Sequence, residues 1–173
     1  MDAIFAEYTV YPGQGFTDTD LVEIKQSNHG LGLFAKRDIP KNTRLTSWSG
    51  RLLQDSAVLA ADDNIQAYAI SLRNNTSMKV DGFALRQCVV QGSCDISRVG
   101  LGWLANSGPN SCRSEYISQK SYRKLLRTHG FTDDEIANVI QTFGYQIIML
   151  TTNRDIKQGE ELTHKYYVRN SSV

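Results

Sequence analysis

The chain has 173 residues, 40% hydrophobic and 21% charged, the size and balance of one globular domain, which excludes a disordered or fibrous protein. Lys and Arg number 19 against 18 Asp and Glu, so a net charge of +1 excludes a uniformly basic nucleic-acid coat or an acidic tail. No apolar run approaches a membrane span, and Met1-Asp2-Ala3 opens with an acid where a secretion signal is basic. The expectation is a soluble, intracellular protein of nucleus or cytoplasm. Cys88, Cys94 and Cys112 lack CxxC spacing and a nearby His pair, so reduced thiols are expected, with neither a disulfide framework nor a metal site.

In chain order, the predicted strands are Leu21-Val22-Glu23-Ile24-Lys25, Arg44-Leu45-Thr46-Ser47-Trp48, Tyr68-Ala69-Ile70-Ser71-Leu72, Met78-Lys79-Val80 and residues 145 to 150. Gly, Asn or Asp turns separate them, which gives a mostly β fold of small sheets with short helices. A short helix is expected over residues 55 to 66. Residues 118 to 144 read as a helical hairpin inserted among the strands. Tyr122, Leu125, Leu126 and His129 recur at helical spacing, and Gly130 follows as a left-handed cap. Thr132 and Glu135 then have capping-box spacing, Phe131 and Ile136 can staple across it, and Ile136, Val139, Ile140 and Phe143 form an apolar stripe. No linker, repeat or low-complexity stretch divides the chain, so residues 1 to 173 are expected to form one domain.

Four segments carry the chemistry. They are Gly30-Leu31-Gly32-Leu33-Phe34-Ala35-Lys36-Arg37-Asp38-Ile39, then Trp48-Ser49-Gly50, then Trp103-Leu104-Ala105-Asn106-Ser107-Gly108-Pro109-Asn110, and last the run from Asn153 through Arg154-Asp155-Ile156, Gly159-Glu160-Glu161-Leu162-Thr163 and His164-Lys165 to Tyr166. In this order they resemble the SET-domain family over about residues 20 to 167, the last run being the most specific. The resemblance implies a SET-like fold of small β-sheets with a threaded C-terminal segment. It also implies methyl transfer from S-adenosylmethionine to a protein lysine, in chromatin or on a non-histone protein.

By the same likeness, His29, Gly30, Leu31, Gly32, Leu33, Phe34 and Asn106 would bind the cofactor, and Tyr166 would stand at the transfer centre. Trp48, His164 and Tyr167 would line the lysine channel. Those residue types suit the reaction. Paired glycines let backbone approach a ligand closely, and an Asn amide both donates and accepts. A Tyr hydroxyl can orient a neutral amine, and burial in an aromatic channel favours loss of the ammonium proton. The sequence carries no cysteine-rich flank, so the expectation is that something else covers the cofactor or that the site is open.

Other readings stand beside these. The segment Asn106-Ser107-Gly108-Pro109-Asn110 is two residues shorter than the family's Asn-His-Ser-Cys-x-Pro-Asn and lacks its His and Cys, which keeps open a SET-fold module that binds a peptide or partner without catalysis. Trp48 and His164 also allow transfer to another nucleophile such as histidine. Tyr166 could be core packing, Arg154 and Asp155 a strand-end turn and surface pair, Glu160 and Glu161 a solvated turn plus one buried structural carboxylate, and Lys165 an exposed strand residue. Lys120, Arg123, Lys124 and Arg127 share one helix face. That face is either merely solvated or a docking surface for an acidic protein patch or nucleic-acid phosphate.

Overall fold

Val22–Ser27 (β1) and Gly30–Ala35 (β2) form an antiparallel hairpin closed by Asn28 and His29. Gly30, at φ +98°, takes the left-handed conformation that begins the return strand. The computed structural model describes residues 15–49, 51–54, 69–72, 75–143 and 147–165. The helix expected over residues 55 to 66, the C-terminal segment expected to thread, and both Tyr166 and Tyr167 lie outside them.

Arg44–Ser47 (β3) is followed by Arg51–Gln54 (β4), Ala69–Leu72 (β5) and Asn75–Asp81 (β6), the last three making a separate antiparallel sheet in the order β4-β6-β5. A 3-10 turn over Gly82–Leu85 leads into a short helix, Arg86–Val90 (α1), and further 3-10 turns cover Ile96–Arg98 and Gly102–Leu104. Then come Asn106–Ile117 (β7), the helices Gln119–Thr128 (α2) and Asp133–Phe143 (α3), and the strands Ile147–Thr152 (β8) and Glu161–His164 (β9). The larger sheet is curled and runs β1-β2-β9-β7-β8-β3, so the last strand in sequence lies in its interior, antiparallel to β2 and parallel to β7.

Alternation along β8 explains how two cores share one strand. Every residue of β8 is buried. Ile148 and Leu150 join the main core with Leu33, Leu45, Trp103 and Leu162, whereas Ile147 and Met149 face a second cluster built with Tyr122, Leu126, Ile136 and Val139 of the helical hairpin. The expected hairpin is therefore present, and it covers the opposite side of the strand. Its caps are those read from the sequence: Thr132 N–H donates to Glu135 Oε2 at 2.7 Å, Glu135 N–H donates to Thr132 Oγ1 at 3.2 Å, and Gly130 sits at φ +81°. Phe131 and Ile136 are both buried across that box.

Two further contacts tie the hairpin to the rest. Arg98 pairs with Glu135 at 3.0 Å while its guanidinium lies 3.8 Å from the Phe131 ring centroid, and His129 Nε2 meets Asp18 Oδ2 at 3.2 Å. The Arg98 guanidinium and the Thr132 N–H hold the Glu135 carboxyl below its usual range, the backbone bond foremost.

Strands β2, β4, β7 and β9 are not among the predicted ones, and β7 departs furthest from its local composition. Asn106-Ser107-Gly108-Pro109-Asn110 has turn composition, yet it opens β7. Only Asn106 and Ser107 pair there, with Thr163 and His164 of β9; the register then slips, and Cys112 pairs with His164 again. Side chains replace the missing ladder. Thr163 N–H donates to Ser111 Oγ at 2.8 Å, and Thr163 Oγ1 donates to the Pro109 carbonyl. The regular ladder with β8 begins at Cys112 and ends at Ile117.

Candidate active site

The two chain segments singled out for cofactor binding meet. Asn106 Nδ2 donates to the Leu31 carbonyl at 3.3 Å, to Ser27 Oγ at 3.1 Å and to Glu161 Oε1 at 2.7 Å. Strand pairing explains why. Leu33 opposes Leu162, and both turn into the core at 0% exposure, so Gly32 and Phe34 present the other face of β2, where Phe34 opposes Glu161. A Cβ on Gly32 would stand 2.6 Å from Glu161 Oε1, 3.0 Å from Asn106 Nδ2 and 3.4 Å from Phe34 Cε2. Three side chains therefore occupy the space that glycine leaves. His29 and Gly30 are exposed at the hairpin tip, and Leu31 and Phe34 are half buried beneath it.

Glu161 and Ser27 belong to this cluster; the sequence offers Glu160 and Glu161 only as a solvated turn plus one buried structural carboxylate and does not single out Ser27. Strand alternation was the available signal for Glu161, since an inward Leu162 puts it on the Gly32 face.

Trp48 and His164, assigned to one channel, are also neighbours, with ring centroids 5.5 Å apart in an edge-on arrangement. Both are buried. The Trp48 indole N–H has no hydrogen-bond acceptor among the described residues, which costs a buried donor roughly 1–3 kcal/mol. Gly102 lies against its ring. His164 Nε2 and Ser114 Oγ are 2.7 Å apart, so Ser114, absent from the sequence reading, fixes the plane of the imidazole. Burial pushes the His164 pKa below its ordinary 6.5, which keeps the ring neutral at neutral pH.

That burial has a measurable consequence. The unfolded chain binds a proton at this histidine as pH drops through about 6.5, before the folded chain does, so stability is retained above that value and falls below it. His164→Phe should lose less stability than the wild type between about pH 7.5 and about pH 5.5. Urea midpoints at the two values check this, and equal losses in both proteins would contradict a buried neutral His164.

The remaining polar residues are structural. Arg154 pairs with Glu160 at 2.8 Å, and the Asp155 carboxylate accepts instead from the Lys41 N–H at 2.8 Å, so the expected Arg154–Asp155 side-chain pair is replaced by two others. Glu160 is held below the usual carboxylate range, first by Arg154 and then by the Lys157 N–H. Asn110 Oδ1 accepts from Asn153 Nδ2 at 2.9 Å, and Lys165 is exposed. On α2, Lys120 and Lys124 are exposed, Arg123 is half buried, and Arg127 lies 3.3 Å from Asp133. This helix leaves β7 after Ile117, about 17 Å along the strand from Cys112. Among the described residues no three His, Cys, Asp or Glu side chains group as metal ligands, and no helix is long and apolar enough to cross a membrane.

A curled sheet with its last strand inside, a Gly-x-Gly hairpin and an Asn amide bonded to it are the features of a SET domain. The family profile described as SET domain matches residues 30–167, and the chain belongs to that family, whose members are generally protein-lysine methyltransferases using S-adenosylmethionine. Among solved structures it is similar to a chain of the "crystal structure of an active polycomb repressive complex 2 in the basal state", with a TM-score of 0.54 and 19% identity, covering 85% of this chain and 15% of that one. At that identity the likeness speaks for the fold. No curated protein sequence matches significantly.

Proposed function

We propose that this chain is an S-adenosylmethionine-dependent protein-lysine methyltransferase. The observation that carries the reading is the Asn106–Leu31 hydrogen bond, which joins segments 75 residues apart that the family resemblance assigns to one cofactor. The residues present fit that group. Gly32, without a side chain, lets Glu161 and Asn106 pack against its backbone, and Asn106 spends only its Nδ2 on Ser27, Leu31 and Glu161, leaving Oδ1 without a partner among the described residues. His29, Gly30, Leu31 and Gly32 would hold the cofactor along the hairpin, and Leu33 and Phe34 would anchor the strand that presents it.

S-adenosylmethionine, when bound, supplies a methyl group on a positively charged sulfur. The chain's own part is to bring a lysine amine into line, neutral and shielded from water, since positioning can lower the barrier by several kcal/mol. Tyr166 would orient that amine through its hydroxyl. Trp48 and His164, with Tyr167, would bound its approach, and the neutral His164 adds no charge to repel an ammonium. The substrate would be a histone or another protein, and the exposed cations of α2 would offer an acidic or nucleic-acid partner a second contact.

Tyr166→Phe is expected to slow methyl transfer to a lysine-peptide library by at least about tenfold, equivalent to about 1.4 kcal/mol, while cofactor affinity stays nearly constant. Unchanged turnover would move the role to Tyr167. Cofactor binding by a wild-type chain that methylates no library member and no full-length protein would favour the partner-binding module, for which the short Asn106–Asn110 segment already speaks.

A further inference from the structure

The methyl-transfer reading leaves one pair of nucleophiles unused. Cys88 lies within α1, and Cys94 lies in the turn that follows it; both are half buried and both are free thiols. Their sulfurs are 2.9 Å apart. A disulfide needs about 2.05 Å, so a small movement of two side chains separates the contact from the bond.

Backbone bonds hold the two residues in this position. Gln91 N–H donates to the Gln87 carbonyl at 3.0 Å, Gly92 N–H to the Val89 carbonyl at 3.2 Å and Ser93 N–H to the Cys88 carbonyl at 3.0 Å, while Gly92 turns the chain back at φ +66°. Asp95 then caps the next turn by accepting from Ser97 N–H at 3.1 Å. The thiols are thus aligned by the fold. Cys112, at 0% exposure, accepts instead from the Ser111 hydroxyl at 3.8 Å.

We propose that Cys88 and Cys94 are a redox-active dithiol that closes to an intramolecular disulfide by exchange with a low-molecular-weight disulfide such as oxidised glutathione. Cys88, as thiolate, attacks one glutathione sulfur; the glutathione S–S bond breaks, and one glutathione leaves as thiolate and takes up a proton. Cys94 then gives up its proton and attacks the Cys88 sulfur of the mixed disulfide, expelling the second glutathione, which is protonated in turn. Two cysteine sulfurs are oxidised, and one glutathione disulfide becomes two thiols. Burial, and then the hydrogen bond that the Cys94 thiol gives to Cys88, push the Cys94 thiol up to about 12, which fits Cys94 to the second step. The bond would staple α1 to the segment whose Arg98 grips the helical hairpin.

The test equilibrates the full chain with glutathione buffers of increasing oxidised share, alkylates remaining thiols, and maps tryptic peptides. Cleavage after Arg86 and Arg98 leaves both cysteines in one peptide, residues 87 to 98. The expected result is joint loss of both alkylation sites, with that peptide two hydrogens lighter than its reduced form. Cys94→Ser should instead accumulate glutathione on Cys88. A wild-type peptide that stays doubly alkylated in the most oxidising buffer, or that carries glutathione without closing, would overturn the proposal.

Discussion

Trp103→Ala should lower unfolding free energy by about 3–5 kcal/mol, the usual cost of emptying a large aromatic site, and so remove a large part of the stability of a domain this size. Trp103 is 1% exposed, and its indole N–H donates to the Gly100 carbonyl at 3.0 Å. Gly82 lies so close against the indole that a Cβ there would collide with it, which shows how tightly the connection between α1 and β7 packs on the core. Trp103→Phe keeps much of the volume and forfeits the hydrogen bond, so its cost should be closer to about 1 kcal/mol beyond any loss of packing. Urea denaturation of both variants checks the pair. An Ala variant with a wild-type midpoint would contradict the packing described for this segment.

Gly32→Ala should weaken cofactor binding by at least about tenfold, about 1.4 kcal/mol, in a chain that still unfolds cooperatively. The new Cβ would stand 2.6 Å from Glu161 Oε1, so Glu161 has to withdraw and release the Asn106 amide that it holds at 2.7 Å. Asn106 would then lose the partner that helps fix its orientation toward Leu31. The backbone of Gly32 does not need glycine's left-handed freedom, so any effect is one of space. Calorimetry compares the two proteins, and equal affinities would place the cofactor elsewhere.

Local signals were legible where the chain needed only its neighbours. The hairpin of α2 and α3 followed from Gly130, from Thr132 with Glu135, and from an apolar stripe, because caps and helical spacing are set within a few residues. Strands β1 and β3 were found within two residues of their ends for similar reasons. Strand β7 was not, because its first half is held by Thr163 from across the sheet, and no local propensity encodes that partner. The site divided in the same way. Gly32 and Asn106 were singled out from their motifs as members of one proposed site, whereas the place of Glu161 beside them follows from the pairing of Leu33 with Leu162. The partners of Arg154 and Asp155 depended on how the turn before β9 folds back, so adjacency in sequence misled.

Whether the hairpin of β1 and β2 with Asn106 holds the cofactor is tested most directly by calorimetric titration of the wild-type chain with S-adenosylmethionine and with its demethylated product, alongside thermal unfolding with and without each ligand. Saturable binding of one ligand per chain is expected, with a raised unfolding temperature and a clear weakening in Gly32→Ala. Neither heat nor thermal stabilisation with millimolar ligand would contradict the cofactor site and leave the partner-binding module in its place.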